Sequence, residues 1–376
     1  MSVPPSCTLR PYQQRLVDKA VAMFLGHSRN GAGELEAAAR SVMIESPTGS
    51  GKTVIGLHIA KAIQDLTGAK VGWVAMRRNL LEQALHENHR HGIGVEMTAI
   101  SLFEKSPPRD IEFLVADESQ HDASNSAAHI HNVVQPRWIL GLTATPFRTD
   151  RVRLCFDRVV KDAGIHQLIQ DGYLSAFDHY TLPRWSVETV ADAYLAERQR
   201  WGKSIFFFHT VDDCQRLAGR LAAAGITAEV VTGSSDRDSQ LAAFRSGRIP
   251  VLINCMVLTE GFDDPTLQTA WVRPSAKGPT VQMAGRALRK HDGVLKQIVQ
   301  CRDTLHPFVK TATPRQQFVW HPEGWRSLSI NPLLERCSQN ARLLIAQTVV
   351  ALPPYLERKA ATHSRRWRAS PPDANG

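Results

Sequence analysis

The feature that most restricts the fold of this chain is a short glycine-containing segment between an apolar run and an amphipathic stretch. Residues 46–53 have the sequence SPTGSGKT; they follow the apolar run SVMIE and precede apolar residues at helical spacing over residues 53–65. Glycines leave the backbone N–H groups at the start of a helix open to phosphate oxygens. The segment predicts a strand, a phosphate-binding loop and a helix, and an inert turn is the less favoured alternative.

The side chains of this loop suit a magnesium-bound nucleoside triphosphate. Lys52 supplies a cation for the β- and γ-phosphate oxygens, and the hydroxyl of Thr53 is a ligand for Mg²⁺. Ser46 stands where the usual pattern has its first glycine. The predicted nucleotide-binding set of the loop is Pro47, Thr48, Gly49, Ser50, Gly51, Lys52 and Thr53.

Strand-like and helix-like segments alternate over two stretches of the chain. This alternation is typical of parallel sheets covered by helices, and the length suits two domains. We predict an α/β fold with two tandem domains, each built on a parallel sheet, and a small basic C-terminal extension. The apolar runs lie at residues 41–45, 71–76, 113–116 and 138–143, and again at 204–208, 228–231 and 251–254.

The predicted boundaries follow from where this alternation stops. The first domain covers residues 1–150, a linker residues 151–186 and the second domain residues 187–300, and the extension begins at residue 301. Within the extension we expect a hairpin at residues 316–330, a helix at residues 340–352 and a disordered, mobile tail. Trp320 and Trp325 are expected to pack that hairpin against the second domain, and base stacking is the alternative.

Two acidic residues end a predicted strand 64 positions after Thr53. Because ligands of parallel sheets bind at the carboxyl ends of strands, Asp117 and Glu118 are expected near the loop. Asp117 would hold Mg²⁺ and Glu118 would polarise the attacking water. Thr143 and Thr145, in the segment GLTATP, would relay the state of the nucleotide to the second domain.

The second domain carries the segment QMAGRALR at residues 282–289. Arg286 and Arg289 are three positions apart and share a helix face, so both can neutralise charge on a γ-phosphate. An arginine pair that binds phosphates of nucleic acid is the alternative. The register of Gln282 and Gly285 favours the catalytic interpretation.

Taken in order, these segments resemble superfamily 2 helicases of the DEAD/DEAH-like group, in particular RadD-like and type III restriction-subunit ATPases. The resemblance covers residues 8–291 and implies two RecA-like P-loop domains that hydrolyse ATP with Mg²⁺. It implies that Gln13, in the segment RPYQ, contacts the adenine edge, and that Asp263, in VLTEGFDDP, contacts the nucleotide sugar. His121 or its neighbour Gln120 takes the place that couples hydrolysis to Thr143 and Thr145.

The resemblance also implies a nucleic-acid strand held by its phosphates across both domains. The candidate contacts are Arg78, Thr98, Thr210, Thr232 and Thr259. Residues 281–376 carry 15 basic and 6 acidic residues, which is the whole net charge of +9. A one-sided positive charge favours a polyanionic partner, and a solubilising tail is the alternative.

Several protein classes are disfavoured. The six cysteines are scattered without a C-x-x-C pair, and no apolar run approaches the about 20 residues that cross a bilayer. With no secretory signal at the N-terminus, we expect a soluble intracellular protein, and the resemblance implies a cytoplasmic bacterial or phage protein. The histidines at positions 86, 89 and 91 are expected at a polar helix end, not at a metal.

We therefore predict an ATP-dependent DNA helicase or translocase whose hydrolysis is stimulated by nucleic acid. The alternatives are an RNA helicase and a nucleotide-gated nucleic-acid-binding subunit of a larger complex. Partner subunits from replication, repair or restriction would fit the latter. The ATP site would take Lys52, Thr53, Asp117 and Glu118 from the first domain, and Asp263, Gln282, Arg286 and Arg289 from the second.

Overall fold

The computed structural model describes residues 8–119, 125–144, 156–258, 262, 264–321 and 324–328. The chain divides into one compact unit of Met1–Ser327 and another of Leu328–Gly376. Every helix and strand below belongs to the first unit, so the predicted helix at 340–352 and the predicted tail lie outside the described residues. No helix in the described part of the chain is long and apolar enough to cross a membrane.

The first half of this unit, here called the first lobe, is built on a six-stranded parallel sheet. The strand order is β3-β2-β4-β5-β1-β6. Its elements are α1 (Pro11–Leu25), β1 (Ser41–Glu45), α2 (Lys52–Thr67), β2 (Val71–Ala75), α3 (Arg78–Arg90), β3 (Met97–Ser101), β4 (Phe113–Asp117), α4 (Asn125–Val134), β5 (Trp138–Thr143) and β6 (Arg158–Lys161).

The second lobe is built on an eight-stranded sheet with the order β14-β13-β7-β12-β11-β8-β10-β9. All neighbouring strands are parallel except the hairpin β13–β14. Helix α5 (Ile165–Gln170) lies in the segment between the lobes. The other elements are β7 (Phe177–Leu182), α6 (Val187–Ala196), β8 (Ser204–Phe208), α7 (Val211–Ala223), β9 (Ala228–Val231), α8 (Arg237–Arg245), β10 (Val251–Cys255), β11 (Thr269–Trp271), α9 (Lys277–Gly285), β12 (Lys296–Cys301), β13 (Gln316–His321) and β14 (Gly324–Ser327).

The predicted fold class is confirmed, because both lobes contain parallel sheets covered by helices. The central strands of the first lobe are buried on both faces, as in FLVA of β4 and WILGLT of β5, so they appear in the sequence as continuous apolar runs. Four predicted strands, at residues 41–45, 138–143, 204–208 and 228–231, have the same bounds in the structure. Apolar burial between sheet and helices provides the main stabilising free energy of both lobes.

The structure differs from the prediction in the segment predicted as a linker, which contributes a strand to each sheet. β6 pairs with β1 in the first sheet, and β7 lies between β12 and β13 in the second. The polar residues of β7 concealed it, because Asp178 is buried there in a bidentate ion pair with Arg315, at 3.0 and 2.9 Å. The connection between the sheets therefore runs from residue 162 to residue 176, here called the inter-lobe segment.

The beginning of the predicted extension also belongs to the second sheet. β13 pairs with β7, and the hairpin returns through β14, so the chain leaves the sheet only after Ser327. Trp320 and Trp325 pack against the aromatic core beside Tyr180, with their own ring centroids 5.2 Å apart. Both tryptophans therefore pack the hairpin against the second lobe, as predicted.

Candidate nucleotide-binding cleft

The predicted phosphate loop connects the carboxyl end of β1 to the amino end of α2. Its first residue is fixed to the neighbouring strand, because the backbone N–H of Ser46 donates to the carbonyl of Thr143 at 3.0 Å. Gly49 and Gly51 have φ angles of 83° and 81°, a left-handed conformation that other residues adopt only at a cost. The sequence therefore needs glycine at these two positions to bring the chain into the helix.

Ser46, the departure from the usual glycine pattern, has a structural partner inside the loop. Its hydroxyl donates to the hydroxyl of Ser50 at 2.7 Å, and both residues are buried. The N–H of Ser50 also donates to the carbonyl of Pro47 at 3.1 Å. A hydrogen bond between two serine side chains thus stabilises the turn of the loop at the position where the usual pattern has a glycine.

Two side chains of helix α1 support the loop. The hydroxyl of Tyr12 and the amide nitrogen of Gln13 both donate to the carbonyl of Ser50, at 2.5 and 2.9 Å. The amide oxygen of Gln13 accepts from the backbone N–H of Arg10 at 3.0 Å. Gln13 therefore uses both ends of its amide to position the loop and Arg10, and its predicted contact with adenine stays a prediction.

The predicted acid pair ends strand β4, next to the loop. Asp117 is the last residue of β4, and its carboxylate accepts from the backbone N–H of Glu118 at 3.0 Å. Glu118 has a φ angle of 54°, which is uncommon for a residue with a side chain and is concentrated at functional sites. Both acidic residues line the cavity that the loop also lines.

Two arginines of the second lobe complete the same cavity. Arg286 caps helix α9 and is buried, and its guanidinium donates to the carbonyl of Phe262 at 2.9 Å. The aliphatic part of Arg289 approaches Gly49 so closely that an added Cβ there would lie 3.3 Å from its Cγ. Gly285 packs similarly on Thr48. The end of α9 therefore rests directly on the phosphate loop.

The cavity between the lobes, here called the cleft, has a volume of about 270 Å³ and brings both halves of the predicted site together. This is close to the lower end of the range for ligand pockets, about 300–1,000 Å³, as expected where the lobes touch. The described residues that line it include five basic and three acidic ones: Arg10, Thr48, Gly49, Gly51, Lys52, Thr53, Val54, Leu80, Gln83, Glu87, Asp117, Glu118, Tyr173, Phe262, Pro265, Arg286, Arg289 and Lys290.

The electrostatic environment of the cleft favours a polyanion. Burial, together with the charge of Arg245, lowers the pKa of Arg289 to about 10, while Glu87 opposes the shift. Burial and the nearby charge of Arg77 lower the pKa of Arg237 in the same way. Arg289 still carries its proton at neutral pH, so several cations from both lobes repel one another where a bound phosphate would attract them.

The lobes are also joined beside the cleft. The guanidinium of Arg77, which precedes α3 in the first lobe, donates to the carbonyl of Val257 in the second lobe at 3.0 Å. Val257 opens the segment predicted to contact the strand backbone. This bond therefore connects the amino end of α3 to that segment of the second lobe.

The other predicted site residues occupy varied positions. Gln282 lies on α9 and is half-buried, but it is not among the described residues that line the cleft. Thr143 is buried at the end of β5, beside the loop. Asp263, Thr259, His121 and Thr145 lie outside the described residues, so their predicted roles remain predictions.

Three of the four described candidates for nucleic-acid contact lie near carboxyl ends of strands. Arg78 begins α3 after β2, Thr210 caps α7 after β8, and Thr232 follows β9. Thr98 does not share this position. It is the second residue of β3, beside Gly72, near the amino ends of the strands. The segment after β3, which includes the exposed Phe103, lies at the expected edge instead.

Several residues that line the cleft were not among the predicted site residues, and Arg10, Tyr173 and Glu87 are three of them. Arg10 was seen only as part of the segment around Gln13, and Tyr173 lies in the inter-lobe segment, where no pattern marked it. Glu87 is on the face of α3 that also presents Leu80 and Gln83, at spacings of three and four residues. That spacing was visible, but many solvent-facing helix sides have it.

Two family models match the two lobes. The model described as "Type III restriction enzyme, res subunit" matches residues 6–104, which contain the phosphate loop. The model described as "Helicase conserved C-terminal domain" matches residues 185–291, which contain the two arginines. The matched regions lie on opposite sides of the cleft.

Two curated relatives match more than half of this chain. The "51.5 kDa protein" of a Lactococcus phage (isolate 7-9) is 27% identical, over 59% of this chain and 56% of its own length. A candidate mitochondrial ATP-dependent helicase of Schizosaccharomyces pombe, irc3, is 26% identical, over 76% of this chain and 55% of its own. The chain thus spans just over half the length of these two relatives.

Solved structures have the same fold at low sequence identity. Dbp5 of Saccharomyces cerevisiae, bound to RNA and ADP BeF3, has a TM-score of 0.57 at 15% identity, covering 84% of this chain and 90% of Dbp5. The DNA-bound Type ISP restriction-modification enzyme LlaBIII has a TM-score of 0.55 at 16% identity, covering 81% and 28%. Lobe by lobe, the chain is thus similar to the res subunit of type III restriction enzymes and to the conserved C-terminal domain of helicases.

Proposed function

We propose that this chain is an ATP-dependent DNA helicase or translocase whose hydrolysis is stimulated by nucleic acid. The observation that carries the proposal is the single cleft shared by the phosphate loop, the acid pair and two arginines of the other lobe. A site divided between two lobes can couple binding and hydrolysis to a relative movement of the lobes.

Each group of residues in the cleft would have its own role in hydrolysis. Lys52 and the amino end of α2 would bind the phosphates, and Glu118 would polarise the attacking water. Arg286 and Arg289 would stabilise the charge that develops on the transferred phosphoryl group. We infer that these five elements act together because each is weak alone and all of them meet in the cleft.

The cleft also suits a magnesium ion. Mg²⁺ prefers oxygen ligands, and the hydroxyl of Thr53 and the carboxylate of Asp117 line the same cavity. These two residues would hold the ion, while Lys52 and the loop hold the phosphates. When bound, the ion would neutralise phosphate charge.

DNA is the proposed polymer. The family model of the first lobe takes its description from a restriction enzyme, and LlaBIII has the same fold with DNA bound. Arg78, Thr210 and Thr232, placed after strands of both lobes, are the proposed contacts with the strand backbone. RNA, as in Dbp5, and a subunit role without unwinding are the alternatives that the experiment separates.

The experiment measures ATP hydrolysis and strand separation with single-stranded DNA, duplex DNA, forked DNA and RNA. We expect DNA to stimulate hydrolysis more than RNA does, and forks to be unwound. Replacing Lys52→Ala should abolish stimulated hydrolysis while the circular dichroism and melting temperature remain those of the wild type. Lys19→Ala, on the exposed face of α1, is the matched control.

Each contrary result points to one alternative. Stimulation by RNA alone would favour an RNA helicase. Stimulated hydrolysis without strand separation on any fork would favour the nucleotide-gated subunit of a larger complex. Full activity of the Lys52→Ala variant would refute the site assignment.

A further inference from the structure

Two lysines hold the wall that the second lobe contributes to the cleft. Phe262 and Pro265 line the cleft, and Pro265 belongs to residues 264–267, here called the wall segment, which lead into β11. Backbone carbonyls in a connection between strands lack the partners that a strand ladder provides, so other donors must satisfy them. Lys203 and Lys296 supply these donors, and neither is among the described residues that line the cleft.

Lys296, the first residue of β12, anchors the backbone of the wall segment. Its ammonium donates to the carbonyls of Pro265 and Leu267, both at 2.6 Å, and its side chain is fully buried. Strand β12 is paired on both sides, with β11 and with β7, so the anchor cannot shift without disturbing the sheet. The wall segment is therefore tied to the core of the second lobe.

Lys203, the residue before β8, anchors the side chains of the same segment. Its ammonium donates to the carboxylate of Asp264 at 3.2 Å and to the hydroxyl of Thr266 at 2.7 Å. It also donates to the carbonyl of Arg245, at the end of α8, at 2.9 Å. The carboxylate of Asp264 accepts two further hydrogen bonds from Thr266. All three donors of the lysine are thus used to fix the segment against the lobe.

The wall segment continues the stretch of chain that orients Arg286. The guanidinium of this arginine donates to the carbonyl of Phe262 at 2.9 Å, two residues before Asp264. Arg286 is buried and lines the cleft. A shift of the wall segment therefore displaces the acceptor that orients Arg286, and a misplacement of about 1 Å can lower a rate about a hundredfold.

We propose that Lys203 and Lys296 are positioning residues for hydrolysis, which fix the wall segment and thereby the orientation of Arg286 in the cleft. This inference rests on the proposed function, since it assigns a task to residues behind one of its catalytic groups. Burial of the Lys296 ammonium carries a desolvation cost that an apolar side chain at the same place would not have. The hydrogen bonds to the wall segment give a reason for lysine at this position.

The test measures hydrolysis by Lys296→Met and Lys203→Met with the polymer that stimulates the wild type most. Methionine keeps most of the length of the side chain but cannot donate a hydrogen bond. We expect each variant to lower kcat about tenfold or more, because Arg286 is displaced. The dissociation constant of a non-hydrolysable ATP analogue, measured by calorimetry, should change less than about threefold, because Lys52 and the phosphate loop are unaltered.

Gln300→Met is the matched control for the loss of a buried polar group. Gln300 is also buried in β12, and it bonds to His179 and to the N–H of Phe308, none of which is among the described residues that line the cleft. This change should lower the urea midpoint while kcat stays within about twofold of the wild type. Lys203→Arg, which keeps donors beside Asp264, should recover most of the turnover that Lys203→Met loses.

A double-mutant cycle tests whether Lys296 acts through Arg286. Arg286→Ala should lower kcat strongly. Adding Lys296→Met to that variant should change kcat by less than about twofold, since the group that the lysine positions is no longer there. If the two changes multiply instead, Lys296 does not act through Arg286 and the inference is overturned.

The outcomes distinguish this inference from the proposed function. If Arg286→Ala lowers kcat but neither methionine variant does, the positioning role is refuted and the role of Arg286 stands. If Arg286→Ala has no effect, both proposals fail. If Gln300→Met lowers kcat as much as Lys296→Met, lost stability explains the effect and the positioning role is refuted. Should Lys296→Met not fold, the comparison of Lys203→Met with Lys203→Arg decides.

Discussion

The two lobes contribute to the cleft in different ways. The first lobe supplies one continuous segment, residues 46–53, whose shape depends on backbone angles at Gly49 and Gly51 and on the bond between Ser46 and Ser50. The second lobe supplies side chains at the end of α9, held by burial and by the surrounding charges. One half of the site is a local structure, and the other exists only through tertiary contacts.

The cores of the two lobes also differ, in the polarity of the residues that their central strands bury. The central strands of the first lobe are almost entirely apolar. In the second lobe β12 has the sequence KQIVQC and is buried throughout. Lys296 donates to the carbonyls of Pro265 and Leu267, both at 2.6 Å, and Gln300 bonds to His179 and to the N–H of Phe308. Buried polar groups are tolerated when they are fully hydrogen-bonded.

The largest expected effect tests whether the second lobe takes part in the chemistry. Arg289→Ala should reduce kcat by about 10³-fold or more, the contribution of an arginine that stabilises phosphoryl transfer. The measurement is steady-state hydrolysis with saturating ATP and nucleic acid. Arg302→Ala, exposed in the same lobe, is the control. A reduction below tenfold would mean that the first lobe supplies the catalysis alone.

A smaller effect tests Lys296, the buried lysine in the core of the second lobe. Burial lowers the pKa of Lys296 to about 8, against the charge of Asp264. Between pH 8 and 10 the unfolded chain therefore binds more protons at this position than the folded chain. The stability of the wild type should rise over this interval relative to Lys296→Met, by about 2 kcal/mol.

Urea unfolding of both proteins at pH 7.5, 8.5, 9.5 and 10 measures this difference. Titrations elsewhere in the protein cancel, because the two chains differ at one position. Parallel pH profiles would show that Lys296 is not desolvated in the folded state.

The smallest effect compares one glycine from each lobe. Gly51→Ala and Gly247→Ala both place a side chain at a φ angle near 80°, at a cost of about 1–2 kcal/mol. At Gly247 the added Cβ meets open space, whereas at Gly51 it would lie 2.6 Å from the amide nitrogen of Gln13. Gly51→Ala should therefore be less stable than Gly247→Ala by about 1 kcal/mol.

Urea midpoints of the two glycine variants give the comparison, with hydrolysis as a second measure. Only Gly51→Ala should lose ATP turnover. Equal midpoints would mean that Gln13 moves aside without cost, and that its bond to Ser50 does not fix the loop.

The sequence was sufficient for the fold class and for locating the contiguous half of the candidate site. Apolar strands such as residues 138–143 and a loop such as residues 46–53 are specified by near neighbours along the chain, through periodicity and backbone preference. It was less informative about β7 and β12, because Asp178, Lys296 and Gln300 are buried against the usual preference of polar residues.

By itself the sequence determined two parallel α/β lobes, and it predicted a phosphate loop at Lys52 and an acid pair at Asp117. Only the tertiary structure decided that Arg10 and Tyr173 meet in the cleft and that the inter-lobe segment pairs with Arg289. The physical reason is distance along the chain. Contacts between residues more than a hundred positions apart leave no periodic signal, since they are fixed by how the sheets and helices pack.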